Sequence, residues 1–193
     1  ADLFQDQLDA ARARFEKAGT GVDASLIFRG PNSFRQLAAS SEVDMVVITS
    51  PPYFHPQHLE AAVEAGKHVY LEKPVAVDVP GCRRVLAAGR KAAGRLSLDV
   101  GFQLRMAPPF VELVRRVHAG AIGEIVCGEA HYNAAALALR DVTGAPPAEQ
   151  RLRRWVQDRV LSGDILVEQN IHSIDICNWV LRSHPVKAIG TGG

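Results

Sequence analysis

Apolar positions recur three and four residues apart at Phe4, Leu8, Ala11 and Phe15, and Gly19 follows, which predicts an opening helix. Asn32 can cap a second short helix running to about Ser40. The period then changes. Val43–Ile48, continuously apolar after Asp44, reads as a strand buried in a parallel sheet. Ser50-Pro51-Pro52 marks a turn, Pro56 suits a first helical turn, Leu59, Ala62 and Val63 share one face, and Gly66 closes that helix. Val69–Leu71 is the next strand. Asp78 caps a helix carrying Val85 and Leu86 that stops near Gly94, and Leu98–Phe102 is a further strand.

Strand, helix, strand, helix, strand with tight connections is the rhythm of an α/β chain with a parallel sheet. Such sheets bind ligands at the carboxyl ends of their strands. Both Ser50-Pro51-Pro52 and Glu72-Lys73-Pro74 fall at such ends. After Arg105 the texture changes. Pro108-Pro109 opens a helix with Phe110, Leu113, Val114 and Val117 inward, Glu124–Tyr132 reads as a strand of another sheet, and Asn133 to about Gln150 as a loop. A helix from about Asp164 to Leu181 and a strand at Val186–Ile189 follow. The expected domains are therefore residues 1–105 and 106–193.

Composition narrows the classes. The 193 residues are 47% hydrophobic and 22% charged, an ordinary globular balance, and the formal net charge of +1 gives no footprint for nucleic acid or an anionic membrane. No apolar run approaches the roughly 18 residues a membrane span needs. Cys82, Cys127 and Cys177 are odd in number and far apart, which suits a reducing, cytoplasmic setting and forms no Cys-x-x-Cys pair. The chain opens on Ala1-Asp2-Leu3-Phe4 and closes on Gly190-Thr191-Gly192-Gly193, and both ends read as cut from something longer.

Gly19-Thr20-Gly21-Val22-Asp23-Ala24 matches the dinucleotide fingerprint G-x-G-x-x-G/A, but it follows a helix and leads into Ser25-Leu26-Ile27-Phe28, which looks like a strand; the order is reversed, so it is read as a connecting loop. Gly190-Thr191-Gly192-Gly193 follows an expected strand with no helix after it. Three constellations carry chemistry. Lys73, beside Glu72 and held by the restricted backbone before Pro74, could polarise a hydroxyl or carbonyl oxygen, although a solvated pair at a turn explains it too. Glu168 and His172 are four apart with Asp175 three further on, one face of a continuous helix; the pair suits general acid–base work or a plain helical ion pair. A metal at Asp164, Glu168, His172 and Asp175 is the weaker reading, because the set holds one imidazole and no H-E-x-x-H, so none is expected. Asp2 could hydrogen-bond a ribose or cap a helix, and Arg151, Arg153, Arg154 and Arg159 read as a solvated basic face.

"ITSPPYFHPQHLEAAVEAGKHVYLEKPVAV" resembles the signature of the Gfo/Idh/MocA oxidoreductases (glucose–fructose oxidoreductase, inositol dehydrogenase and relatives), and "SGDILVEQNIHSIDICNWVL" resembles that family's second-domain active-site helix. The similarity spans essentially the whole chain. It implies an α/β chain: part of a Rossmann-type parallel sheet, then part of an α+β domain with an open, mostly antiparallel sheet, the glycine-rich first strand–turn–helix preceding Ala1 and further strands following Gly193. A chain without that turn is expected to bind NAD poorly on its own.

Carried over by position, Lys73 matches the family's Glu-Lys-Pro lysine and His172 its catalytic histidine, while Glu168 stands where many members carry Asp. Pro52 stands where members often have Asn, which removes one cofactor contact. The resemblance implies cofactor contacts at Asp2, Ser50, Pro51, His55, Glu72, Lys73 and Gln103, substrate contacts at Lys73, Arg105 and His172, and catalysis by Lys73, His172 and Glu168. It implies NAD in preference to NADP, oxidation of a secondary hydroxyl on a sugar-like small molecule or the reverse reduction, no nucleic-acid or membrane partner, and a homo-oligomer. An NAD-dependent hydrolase or lyase acting by transient oxidation, and a non-catalytic binding protein on the same scaffold, remain as alternatives.

Overall fold

The computed structural model describes residues 1–135, 137, 138 and 140–191. The chain divides into two compact units, Ala1–Val100 and Gly101–Gly193. In the first unit α1 (Gln5–Lys17), α2 (Ser33–Ala39), β1 (Met45–Ile48), α3 (His55–Glu64), β2 (His68–Leu71), α4 (Val79–Ala92) and β3 (Leu98–Val100) follow in order. The strands form one sheet in the order β1-β2-β3, both pairs parallel, with Ile48 opposite Leu71 and Leu71 opposite Val100. This is the α/β arrangement that the strand–helix rhythm requires.

One sheet face carries the core. Val46 and Ile48 of β1 and Val69 and Leu71 of β2 are buried with Leu59, Ala62 and Val63 of α3 and Val85, Ala88 and Ala92 of α4. Leu59 and Leu71 are both 0% exposed. On the other face of β1, Met45 and Val47 are 53% and 58% exposed, so the continuous apolar run is buried on one side only. Leu86, next to Val85, is exposed, because the buried row of α4 runs through Gly81, Val85, Ala88 and Ala92 at helical spacing. Asp78 caps α4 as its position suggests, accepting from the Gly81 amide at 2.7 Å. Asn32 makes no side-chain cap on α2.

The expected strand at Ser25–Phe28 is instead a one-turn helix over Ala24–Leu26, capped by Asp23, and Arg29 alone bridges to Asp2 in parallel. Asp23 accepts from both the amide and the hydroxyl of Ser25, and this local bonding competes with a ladder. Gly19, at φ +74°, ends α1, and the Thr20 amide reaches back to the Phe15 carbonyl at 2.9 Å, so the glycine-bearing stretch is a helix stop.

His58 ties α2 to α3. Its ring stacks on Phe34 with centroids 4.3 Å apart and faces Phe54 at 6.0 Å, and Nδ1 lies 2.9 Å from the Ser50 hydroxyl. Burial, with the neighbouring charge of His55 adding to it, holds its pKa down at about 4.

The second unit contains α5 (Pro108–His118), α6 (Pro147–Arg153), α7 (Arg159–Ser162), α8 (Asp164–Glu168) and α9 (Ile171–Leu181), with one-turn helices at Gln103–Met106 and Trp155–Gln157. Among its described residues there is no strand, so the expected antiparallel sheet does not appear. Glu124–Tyr132 and Val186–Ile189 run without ladder partners, and Val126 and Val186 stand fully in solvent. Composition marks a segment that fits a sheet, but only a neighbouring strand makes it one. Leu113 of α5 is exposed, and Val114 is the buried residue of that helix. Positions 136 and 139, within the expected loop, and the last two of Gly190-Thr191-Gly192-Gly193 lie outside the described residues.

Two predictions follow from this packing. A Cβ built on Gly81 would stand 2.8 Å from the Ala76 Cβ and 2.9 Å from an Asp78 oxygen, whereas one on Gly89 of the same helix meets nothing within 4 Å. Gly81→Ala should therefore destabilise by ~1–3 kcal/mol despite the better helix former, and Gly89→Ala should stabilise by up to about 1 kcal/mol, as read by urea unfolding. The second concerns acid. The folded His58 pKa lies below its unfolded value, so the unfolded chain takes up the proton first. The stability it confers is complete above roughly pH 6.5 and is lost as pH falls toward about 4, on the order of 1–2 kcal/mol after solvent screening. Unfolding midpoints at roughly pH 7.5 and 4.5 should differ less in His58→Gln than in the wild type.

Candidate active site

The parallel register puts the ends of β1, β2 and β3 on one edge of the sheet. At the tip of β2 the Glu72 amide still donates to the Ile48 carbonyl at 3.0 Å, so Lys73 is the first residue beyond the ladder. Its own amide donates to Glu72 Oε2 at 3.3 Å, and the Tyr70 hydroxyl donates to Glu72 Oε1 at 3.4 Å. Glu72 is thus engaged locally at both oxygens. The Lys73–Pro74 peptide is cis, Pro74 is buried, and Lys73 itself is half-buried. A lysine ammonium placed there can stabilise negative charge developing on an oxygen.

Ser50 and Pro51 occupy the turn beyond β1, half-buried. His55, the first residue of α3, is 1% exposed, which removes it from the expected cofactor contacts. Its Nδ1 lies 2.7 Å from the Pro74 carbonyl and its Nε2 2.6 Å from the Ser50 carbonyl. Both carbonyls accept, so only a doubly protonated ring would satisfy them together, yet burial, the largest influence, holds the His55 pKa below its ordinary value and favours the neutral ring, which donates from one nitrogen. Burial pushes its pKa down and Lys73 does the same, while the Pro74 and Ser50 carbonyls and the Glu72 charge pull it up. The Ser50 hydroxyl is taken by His58. Sequence reasoning assigned no role to His58, although its place one turn after His55 was the available signal.

Asp2 accepts from the Phe4 amide at 2.8 Å through one oxygen, just before α1, and its backbone pairs with the segment through Arg29. Among the described residues no glycine-rich turn joins a strand to a helix.

In the second unit His172 lies in the first turn of α9, 6% exposed, its ring stacked on Tyr132 with centroids 5.9 Å apart. Glu168 is the last residue of α8, half-buried. The expected single helix is broken at Gln169-Asn170. The Asn170 amide reaches five residues back to the Ile165 carbonyl at 3.0 Å, the His172 amide turns to Gln169 at 3.3 Å, and the regular spacing lapses between Glu168 and His172. The one-face argument for that pair therefore fails, and their relation is set by this turn. Its entry is fixed by left-handed backbone at Gly163 (φ +79°) and Asp164 (φ +68°), where a Cβ on Gly163 would stand 2.8 Å from the Val167 side chain.

Asp175 does not join His172 and Glu168 in a cluster of three. It grips Arg105 with Nε–Oδ2 and Nη2–Oδ1 distances of 2.8 Å, and the Arg105 guanidinium lies 5.4 Å over Trp179. The Asp175 hydrogen bonds push the Arg105 pKa up. Gln103 is exposed in the adjoining one-turn helix. The basic run is dispersed into local pairs, Arg151 with Asp158, Arg153 with Glu149 at 2.6 Å and Arg159 with Asp164 at 3.6 Å. Tyr132 and Trp179 were missed in the sequence because their partners lie 40 or more positions away or across a helix turn.

Residues 7–100 match the family model described as the oxidoreductase family, NAD-binding Rossmann fold. Over 169 residues, 87% of this chain and 43% of the relative, the sequence is 32% identical to inositol 2-dehydrogenase 4 of Saccharopolyspora erythraea. Over 152 residues, 78% of this chain and 39% of the relative, it is 39% identical to inositol 2-dehydrogenase 1 of the same organism. The chain thus spans less than half the length of these relatives. Among solved structures, the aldose–aldose oxidoreductase of Caulobacter crescentus complexed with glycerol superposes with a TM-score of 0.66 at 22% identity, covering 93% of this chain and 48% of that one, which shows a common fold. With the parallel sheet and its Glu-Lys-Pro tip, these similarities place the chain in the Gfo/Idh/MocA family of oxidoreductases, whose Rossmann unit takes NAD as cofactor.

Proposed function

We propose that this chain forms part of an NAD-dependent oxidoreductase that interconverts a secondary hydroxyl and its ketone on a cyclitol or sugar. The observation that carries this reading is Lys73, held as the first residue beyond the β2 ladder at the carboxyl edge of a parallel sheet. The relatives named inositol 2-dehydrogenase favour a cyclitol. Residues 1–105 would serve the cofactor and 106–193 the substrate and self-association.

The groups left available at the sheet edge fit the nicotinamide end of NAD. Ser50 and Pro51 offer a short turn whose carbonyl and hydroxyl are already occupied, so the backbone there is fixed, and Lys73 supplies a donor. The pyrophosphate needs a glycine-rich turn that the described residues do not contain. When bound, NAD accepts the hydride.

His172 takes the hydroxyl proton as the carbon–hydrogen bond breaks and its electron pair leaves with the hydride, and the carbon–oxygen bond becomes a carbonyl. Lys73 holds the oxygen while negative charge develops on it. Glu168 positions His172 through the turn that joins α8 to α9, and Tyr132 limits the ring's rotation by stacking on it. In the reverse direction His172 returns the proton.

With NAD and myo-inositol as the first probe, then other inositols and aldoses, NADH absorbance should appear in proportion to ketone. His172→Asn and Lys73→Met should each lower kcat about 100- to 10,000-fold, with NAD affinity by calorimetry changed no more than a few-fold in His172→Asn. Sugar release without net NADH would replace this reading with bond cleavage by transient oxidation, and NAD binding without either product would replace it with a non-catalytic role.

NAD should be preferred to NADP by at least roughly tenfold in kcat/KM, because a carboxylate such as Asp2 repels a 2′-phosphate. Arg29, the backbone partner of Asp2, offers a cation once that carboxylate is gone. Asp2→Ser should therefore shift the preference toward NADP, and adding Arg29→Ala should reverse part of the shift. Equal efficiency with both cofactors in the wild type would remove Asp2 from the ribose site.

A further inference from the structure

Buried polar side chains usually satisfy one local need, but His55 spans two separate turns. It starts α3, whose Leu59, Ala62 and Val63 are locked in the core, so its backbone is fixed by packing. From there the ring reaches the Ser50 carbonyl beyond β1 at 2.6 Å and the Pro74 carbonyl beyond β2 at 2.7 Å. Pro74 is the residue next to Lys73, and a proline lacks the amide by which a ladder could hold it. The Lys73 amide, for its part, is spent on the Glu72 side chain rather than on β1. Past the Glu72 amide, a ring nitrogen of His55 at the Pro74 carbonyl ties this loop to α3.

We propose that His55 is a positioning residue, a strap between the two turns whose bond to the Pro74 carbonyl holds Lys73 in its working place. It touches neither substrate nor cofactor. The role deepens the proposed oxidoreductase reading and rests on it for the catalytic consequence, while the strap itself can be examined without turnover. The ring lies on a closed inner surface, so neither solvent nor a ligand competes for its nitrogens. The two nitrogens also differ in what they hold, which separates positioning of Lys73 from simple filling of the core.

The amide nitrogen of an asparagine side chain falls near the place of Nδ1, and that of a glutamine near Nε2. His55→Asn therefore keeps a donor for Pro74 and gives up the one for Ser50, and His55→Gln does the converse. Both variants delete the same ring, and asparagine, shorter by one methylene, leaves the larger void, so a merely structural role predicts the greater loss in His55→Asn. In the NAD-bound protein, kcat for polyol oxidation should fall about tenfold or more in His55→Gln and stay within about threefold of wild type in His55→Asn, with KM for NAD little changed in either. Amide hydrogen exchange over Glu72–Val77 should accelerate several-fold in His55→Gln alone. If neither variant folds, the wild type still decides: ring Nδ1 should carry a proton and show a through-hydrogen-bond coupling to the Pro74 carbonyl carbon. Equal kcat and equal exchange in the two variants, the greater loss in His55→Asn, or an unprotonated Nδ1 in the wild type, would overturn the strap. The expected exchange pattern in a protein that oxidises no polyol would keep the strap and overturn the proposed function instead.

Discussion

The burial of one face of the parallel sheet under α3 and α4 is the constraint on which everything else in the first unit rests. Leu59 and Leu71 are wholly removed from water, and apolar surface buried in this way stabilises by roughly 25 cal/mol per Å². Their packing fixes α3 against the strands, and with α3 it fixes the two histidines at its start. Those histidines, not further ladder bonds, then hold the turns beyond β1 and β2. The sheet edge owes its shape to a core several residues away, and the polar contacts at the edge are short because the helix presenting them cannot drift.

Much of this was legible in order. The apolar run to Ile48, the one-sided helix through Leu59, Ala62 and Val63 and the cap at Asp78 depend on neighbours within a turn or two, and sequence periodicity reports such neighbours directly. The Glu72-Lys73-Pro74 tip was readable for the same reason. What could not be read was the demand each buried polar group makes on distant partners. The family resemblance set His55 among the cofactor contacts; only the carbonyls of Ser50 and Pro74 show that its nitrogens face other partners.

The second unit shows the limit of periodicity more sharply. Glu124–Tyr132 reads as a strand by its composition and has no partner among the described residues, since pairing is a property of two segments and not of one. The run from Asp164 to Leu181 has helical spacing throughout, yet the backbone steps out of register at Gln169-Asn170, which no side-chain pattern announces. Glu168 and His172 were judged as a pair on one helical face, and a turn between two helices lies between them. Asp175, counted with them by spacing, belongs to Arg105, 70 positions earlier.

That pairing has a mechanical consequence. Asp175 and Trp179 stand one turn apart on α9, and they take the Arg105 guanidinium by its edge and by its flat face together. A planar fork fills both roles at once, whereas a compact ammonium offers neither the two-pronged edge nor the flat face. The one-turn helix that carries Gln103 and Arg105 is thereby fastened to α9, the helix that bears His172, by a single side chain.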